Sequence, residues 1–320
     1  MPEQDTPPAV TPTDRLLLSL TARSLYPHIL SWFAEIPRVK RAVLRVVDVP
    51  SGNGVLSVPL AAAGFSVTPI DLFPETLARS VAKHGQFGVV ESFRQITRVT
   101  MPAFLRRALF GSAEADPEYP RSITALGGDM EGALPVESKG ADIVVCIEGI
   151  EHVMDRHKTL HEFRRLLRPG GRLLISTPNL LSLRARLAYA CTGQRAFHSY
   201  IDEFTSVWGR SPDGTRTYHG HAFLISYFQL RYSLHHCGFK VKRVLPSNWS
   251  PTSMLLLPLV PVVWLSTLLA QRPARARLER MRAAGSAPAN AQPPYSEMMR
   301  HLLSPSMLLN ATLILEAEAV

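Results

Sequence analysis

The chain has 320 residues, of which 46% are hydrophobic and 19% are charged, and its formal net charge is +9. Its three cysteines lie far apart, without CxxC or Cys/His ligand spacing, which argues against a disulfide scaffold and against a structural zinc site. The positive charge suits nucleic acid, anionic lipid or an acidic substrate and does not choose among them.

The first 13 residues are acidic and rich in proline. They contain no basic segment followed by an apolar one and so do not resemble a secretory signal, and we expect a disordered tail on a cytoplasmic protein. From Asp14 to Ala34, apolar residues recur at helical spacing. This pattern predicts a helix leading into one domain that spans residues 14–320.

Strand and helix patterns alternate along the rest of the chain. The β-branched and aliphatic run at 42–49 predicts a strand buried on both faces, and a glycine-rich turn, a helix at 55–63 and a strand at 65–70 complete a βαβ unit. Further strands are predicted at 123–126, 141–147, 171–177, 239–244 and 311–317. Further helices are predicted at 157–167, 180–190 and 227–236. The alternation predicts a parallel sheet with helices on its faces.

An amphipathic, basic stretch at about residues 86–120 interrupts this alternation. We interpret it as an inserted helix. Its pattern fits a lid over a binding site and ordinary surface packing equally well.

The turn after the first strand carries the first candidate ligand groups. Gly52 and Gly54 allow the backbone to approach a ligand closely, and the helix that follows offers free amides. Ser57 replaces the third glycine of a dinucleotide fingerprint, so the motif alone indicates only a nucleotide-binding fold. Asp48, at the strand end, suits a cationic ligand and would repel the pyrophosphate of a nicotinamide dinucleotide.

Acidic residues also follow the second and third strands. Asp71, with Leu72 beside it, stands where a carboxylate accepts hydrogen bonds from ribose hydroxyls, although it would also serve as a turn residue before Pro74. Asp129 is the candidate partner of an adenine amino group, with Met130 against the ring.

Four segments carry a resemblance to a known family. DVPSGNG, GGDMEGALP, ADIVVCIEGIEHVMD and LLRPGGRLLISTPN occur in the order and spacing seen in class I S-adenosylmethionine (SAM)-dependent methyltransferases. The chain most resembles the subgroup that includes ubiquinone-biosynthesis O-methyltransferases and methyltransferases of natural-product, sugar and cell-envelope pathways. The resemblance implies a Rossmann-like, doubly wound α/β fold. Its seven-stranded sheet would be mostly parallel with the last strand antiparallel, and inserts would lie at about 86–120 and 245–308.

The resemblance also implies SAM as the cofactor, with Ile147 and Glu148 beside it and Glu151 and His152 at the mouth of the substrate pocket. Because methyl transfer is a direct displacement, a base is needed only where the acceptor loses a proton. His152 is the predicted base and Glu151 its orienting partner, and no metal is predicted. Structural roles stay open for both residues, namely a histidine bonded to backbone and a carboxylate at a helix N-terminus.

Two other positions bear on the resemblance. Pro50 takes the place usually held by the first glycine of the loop, and proline has no amide to donate. For His221 we favour a structural role.

Residues 254–270 are the most apolar stretch of the chain, and five arginines follow it. The stretch is shorter than the ~20 residues of a membrane-spanning helix, and Pro258 and Pro261 interrupt it. One crossing would also separate strands that must share a sheet. We favour a patch that dips into the cytoplasmic leaflet, with Trp249 and Trp264 at the interface. The alternatives are the wall of a lipophilic pocket, a contact with a partner, and a helix packed on the core.

Together these features predict a cytoplasmic enzyme that moves the SAM methyl group to a small-molecule, lipid-linked or sugar-linked acceptor, at oxygen, with peripheral contact to the inner face of a membrane. One alternative is an inactive methyltransferase-like accessory protein at the membrane, for which Pro50 is the only hint. Another is a nicotinamide-dependent oxidoreductase, which fits Asp71 but neither Asp48 nor Asp129. No NPPY-like or catalytic-cysteine signal supports nucleic-acid methylation.

Overall fold

A computed structural model describes residues 25–52, 54–75, 103–111, 125–197, 201–204, 206–210, 217–286 and 295–320. The predicted N-terminal tail, the first half of the predicted helix at 14–34 and most of the first insert lie outside these residues.

Seven strands of the described residues form one sheet in the order β3-β2-β1-β4-β5-β9-β8, and two more form a hairpin. The nine strands are β1 (Arg45–Asp48), β2 (Ser66–Asp71), β3 (Leu126–Gly127), β4 (Ala141–Cys146), β5 (Leu167–Pro178), β6 (Val207–Arg210), β7 (Thr217–His219), β8 (Phe239–Leu245) and β9 (Thr312–Ala319). Strands β1 to β5 pair in parallel, and β9 lies between β5 and β8, antiparallel to both. The predicted fold class is confirmed.

Helices surround this sheet, and polar caps mark where several of them begin. The helices of the described residues are α1 (Tyr26–Ala34), α2 (Arg38–Arg41), α3 (Ser57–Ala62), α4 (Ala103–Phe110), α5 (Arg156–Leu166), α6 (Leu183–Thr192), α7 (Tyr227–His236), α8 (Pro251–Leu255), α9 (Val260–Ala283), α10 (Tyr295–Leu302) and α11 (Pro305–Leu309). The Asp155 carboxylate accepts the Lys158 amide to start α5, and Ser226 forms a capping box with Gln229 to start α7.

The core has two layers because successive strand residues point to opposite faces of the sheet. On one face Val47 packs in a cluster with Phe163 of α5 and Leu230 of α7. On the other, Val46 packs in a cluster with Phe33 of α1. Helices therefore cover both faces, as a buried parallel sheet requires.

The described part of the first insert packs against the core rather than covering a site. Leu105 and Leu109 of α4 are buried in the same cluster as α1. The guanidinium of Arg41, almost completely buried, donates to the carbonyl of Leu109 at 2.6 Å and to that of Ala108 at 2.9 Å. These contacts fix α4 beside α1, and the lid interpretation of the insert at 86–120 stays a prediction.

The second insert forms the four helices α8 to α11. Pro258 lies in a 3₁₀ turn between α8 and α9, and Pro261 lies in the first turn of α9, where its missing N–H costs no hydrogen bond. Within α9 only Gln271 is buried, so this helix does not pack as part of the core. Measured over the part of the chain that the structure describes, no helix has the length and apolar character needed to cross a membrane.

Candidate active site

A cavity of about 410 Å³ opens at the carboxyl ends of the parallel strands, where open α/β sheets bind their ligands. Its wall comes from the turns that follow β1, β2, β3 and β4, together with α1 and the hairpin. Eight predicted site residues line it: Gly52, Asp71, Leu72, Asp129, Met130, Ile147, Glu148 and His152. Asp48, Gly54 and Glu151 do not line this cavity.

The turn after β1 is fixed by backbone hydrogen bonds to the neighbouring strand. Gly52 has φ +53°, and its amide donates to Oδ2 of Asp71 at 2.8 Å. The Ser51 amide donates to the carbonyl of Ile70 at 2.9 Å. Pro50 lines the cavity and packs against Gly149, where an added Cβ would lie 2.5 Å from the Cδ of Pro50. The proline that departs from the family pattern is thus accommodated by a glycine from the next loop.

The Asp71 carboxylate accepts two backbone amides, from Gly52 on one oxygen and from Phe73 on the other at 2.9 Å. Each carboxylate oxygen has a second lone pair, so the group can still accept bonds from a ligand. Asp129 accepts the Glu131 amide at 2.9 Å in the turn after β3. Strand order places both acidic groups on the same cavity.

Asp48 lies beneath the turn rather than on the cavity wall. The side chain is buried, and its carboxylate accepts the hydroxyl of Ser57 at 2.5 Å. Burial raises the pKa of Asp48 to about 7, while the hydrogen bond from Ser57 opposes that rise. Its role as a direct cofactor ligand stays a prediction.

Glu148 begins the loop after β4 in a left-handed conformation with φ +49°. The hydroxyl of Ser176 accepts the Glu148 amide at 3.0 Å and lies 2.9 Å from the Glu148 carboxylate, to which it donates. Burial raises the pKa of Glu148. Tyr26 of α1 faces the same space, and burial together with the charges of Asp48 and Glu148 raises its pKa. No local pattern indicated Tyr26, because it comes from a helix before the sheet.

The far end of the cavity is held by the segment Ile150–His152 and the β6–β7 hairpin. Nδ1 of His152 lies 2.9 Å from the carbonyl oxygen of His219 and 3.1 Å from that of Gly220. Since carbonyls only accept, Nδ1 carries the proton and Nε2 of the neutral ring has the lone pair. Backbone carbonyls therefore orient this ring, and Glu151 does not bond to Nδ1.

Glu151 lies just behind the cavity with no exposed surface. Neither of its carboxylate oxygens makes a hydrogen bond of good geometry among the described residues, although the nearby hydroxyl of Thr177 lowers its pKa against the effect of burial. Burial, and then the charge of Glu148, raise its pKa well above the ordinary value. Nε2 of His221 is 3.9 Å from its Oε1, and the rings of His221 and His152 are 5.1 Å apart. His221, for which we favoured a structural role, thus lies at the site.

These three side chains have the geometry of a cation site. Glu151, His152 and His221 each present a ligand atom, and the three atoms lie within 4.8 Å of one another. Imidazole and carboxylate together suit zinc and other divalent transition metals. Spacing along the sequence could not reveal the cluster, because His221 is far from the other two in the chain.

Arg195, after α6, is a further residue that the sequence did not suggest. The guanidinium is half-buried, and burial lowers its pKa. The charge of Arg195 acts on the carboxyls of both Glu148 and Glu151 and lowers their pKa values against the effect of burial. A cation therefore stands near Glu148, Glu151 and His221.

Comparison with known proteins gives three results. A family model described as a methyltransferase domain matches residues 21–244. The ubiquinone biosynthesis O-methyltransferase of Azotobacter vinelandii is 29% identical over 153 residues, or 48% of this chain and 51% of that protein. The protein of the same name from Pseudomonas savastanoi pv. phaseolicola is 31% identical over the same shares. The chain thus spans about half the length of the curated relatives it matches.

Among solved structures, a SAM-dependent methyltransferase from Thermotoga maritima aligns over 96% of this chain and 96% of its own. Its sequence identity is 13% and the TM-score is 0.46.

Proposed function

Because the chain belongs to the class I SAM-dependent methyltransferases, we propose that it transfers the SAM methyl group to an oxygen atom of a small-molecule, lipid-linked or sugar-linked acceptor. The observation that carries the proposal is the cavity at the strand ends, with acidic groups along its wall and His152 at its far end. Its curated relatives are named O-methyltransferases, which supports oxygen as the acceptor atom.

The charge of the cavity favours a cationic cofactor. Asp71, Asp129, Glu131 and Glu148 line it. A ligand with a sulfonium and an ammonium is attracted to such a wall, whereas the pyrophosphate of a nicotinamide dinucleotide is repelled. Bound SAM supplies an electrophilic methyl carbon on a positively charged sulfur. Asp71 would hold the ribose hydroxyls, and Asp129 the adenine amino group, with Met130 against the ring.

His152 is the proposed base. Its protonated Nδ1 is fixed to backbone carbonyls, so Nε2 is the atom that accepts a proton. With SAM bound, Nε2 would accept the proton that the acceptor hydroxyl loses when its oxygen is methylated. Fixing the ring in one orientation supports the alignment on which a displacement depends.

A divalent cation at Glu151, His152 and His221 is a second way to activate the acceptor. The observation favouring it is that the buried carboxylate of Glu151 presents a ligand atom within 4.8 Å of those of His152 and His221. A cation there would bind the acceptor oxygen and lower the pKa of its hydroxyl. His152 would then be a ligand rather than the base.

Calorimetric titration with S-adenosylhomocysteine tests the cofactor site. We expect micromolar binding to the wild type and a strong loss in Asp71→Ala, since this carboxylate faces the cavity. The matched control is Glu318→Ala, an acidic residue that pairs with Lys242 on the far strands of the sheet. No binding to folded wild-type protein would overturn the proposal and favour the inactive accessory protein.

The proposal also includes where the enzyme acts. We place the enzyme at the inner face of a membrane, in peripheral contact, because the exposed apolar residues of the second insert suit a lipid environment.

A further inference from the structure

Exposed apolar side chains are concentrated in one segment of the described chain. Nine large hydrophobic residues between 249 and 269 are exposed, with Leu255 at 81% and Val262 at 64%. We call this surface the apolar ridge. Its members are Trp249, Met254, Leu255, Leu257, Leu259, Val262, Trp264, Leu265 and Leu269. Monomeric soluble proteins rarely expose so many apolar groups together, so the ridge indicates an interaction surface.

The inner side of this segment holds it against the fold. Leu256, Val260 and Val263 pack on a small cluster of Leu183, Leu308 and Leu309. This packing holds the ridge in a fixed position on the fold.

The outward side of α9 changes character halfway along the helix. Val262, Leu265 and Leu269 recur at helical spacing and are exposed, and Arg272 and Arg280 continue the same stripe. Residues 271–286 contain five arginines against one glutamate. An apolar half followed by a basic half on one helix matches the two layers of an anionic lipid leaflet, acyl chains and then phosphates.

We propose that the apolar ridge inserts into one leaflet of an anionic phospholipid bilayer, with the arginines of α9 at the level of the headgroups. The apolar half of α9, residues 260–270, is roughly 16 Å long at 1.5 Å per residue. That length is too short for the ~30 Å hydrocarbon core. Because Val260 and Val263 pack on the fold, the helix would lie along the leaflet surface with its exposed apolar stripe facing the acyl chains. Such insertion leaves β8 and β9 on the same side of the membrane.

Helix α6 connects the ridge to the acceptor end of the cavity. The hydroxyl of Ser253 in α8 accepts the Arg184 amide at 3.2 Å, near the start of α6. The chain leaves α6 at its other end toward Arg195, whose charge acts on Glu148 and Glu151. This placement suits an acceptor that reaches the site from the lipid. The acceptor class rests on the proposed methyl transfer, whereas the binding of the ridge to lipid does not.

Vesicle flotation of the full chain tests the inference. We expect binding to phosphatidylcholine vesicles that contain about 30% phosphatidylglycerol, weaker binding to pure phosphatidylcholine, and a decrease with added salt. Leu265→Glu with Leu269→Glu, and separately Arg272→Glu with Arg280→Glu, should each reduce binding to the anionic vesicles about tenfold or more. The matched control is Val39→Glu, at an apolar position that is 89% exposed outside the ridge.

The fluorescence of Trp264 supplies a second readout, because insertion moves its indole out of water. We expect a blue shift of the emission with anionic vesicles, and a smaller shift in Trp264→Phe.

Failure of the wild type to bind anionic vesicles would overturn the inference, as would a loss of binding in Val39→Glu equal to that of the ridge variants. If the wild type forms dimers and does not bind vesicles, and the leucine variants dissociate those dimers, the ridge would be an interface with a second copy of this chain. Titration of the same samples with S-adenosylhomocysteine tests the cofactor site separately. A sample can therefore bind S-adenosylhomocysteine without binding vesicles, or bind vesicles without binding S-adenosylhomocysteine.

Discussion

The two ends of the cavity are assembled in different ways. At the cofactor end, Asp71 ends β2, Gly52 and Asp129 lie in the turns after β1 and β3, and the strand order brings the three together. At the acceptor end, Glu151 and His152 meet His221 and the hairpin backbone, which come from much later in the chain.

The cofactor end therefore depends on the order of the strands in the sheet, whereas the acceptor end depends on how the β6–β7 hairpin and His221 pack against the segment Ile150–His152. Substitutions should therefore separate the two. Changes in the strand-end loops should alter cofactor binding, and changes in the Glu151 and His221 pair should leave it intact.

The largest expected effect concerns Asp48, the buried acid at the cofactor end. Its pKa rises from an ordinary 3.8 to about 7 in the folded chain. Between these values the folded state holds more protons than the unfolded state, so the free energy of unfolding falls as the pH rises through this window. Asp48→Asn removes that loss. The variant should gain stability relative to the wild type from pH 5 to pH 8, approaching on the order of 4 kcal/mol above pH 7.

Urea unfolding at several pH values measures this gain. A constant difference between the two proteins across the range would contradict a raised pKa for Asp48. Titration of the same variant with S-adenosylhomocysteine then assigns its role. Weakened binding means that Asp48 acts on the ligand, and unchanged binding means that it acts only through Ser57.

A smaller effect is expected at Gly149, where two loops of the cofactor end touch. An alanine Cβ would lie 2.5 Å from Cδ of Pro50 and 3.1 Å from Sγ of Cys146. Gly149→Ala should cost about 1–3 kcal/mol of unfolding free energy, as overpacking does. Because Pro50 lines the cavity, affinity for S-adenosylhomocysteine should also fall about tenfold or more. Gly209→Ala, whose added Cβ would meet no atom of the described residues within 4 Å, is the control. Unchanged affinity in Gly149→Ala would remove this contact from the cofactor site.

The same difference explains what the sequence could predict. The fold and the strand-end residues followed from local patterns, because a parallel strand, its turn and its acid lie within one short segment. Strand boundaries were less accurate. For example, β5 begins at Leu167 because Gly170, with φ +73°, lies in a bulge against β4 that the apolar pattern does not show.

The family resemblance predicts Glu151 and His152 at the acceptor end, but the residues that meet them there could not be predicted, because their proximity depends on packing between distant segments. Tyr26 reaches the cavity from α1, before β1, and His221 lies at the site only because the segment after the hairpin packs against the segment Ile150–His152. Pro50 looked unfavourable as a single residue. Its partner Gly149 belongs to another loop, so no local pattern could reveal the fit.

The last prediction tests the separation of the two ends. If Glu151, His152 and His221 form a cation site, the wild type should bind Mn²⁺ in a calorimetric titration. Glu151→Gln and His221→Ala should each weaken that binding about tenfold, near 1.4 kcal/mol, because each removes one ligand. Both variants should bind S-adenosylhomocysteine as the wild type does, whereas Asp71→Ala should show the opposite pattern. Absence of Mn²⁺ binding in the wild type would leave His152 as the proposed base. If every variant lost the binding of both Mn²⁺ and S-adenosylhomocysteine, the two ends of the cavity would form one cooperative unit.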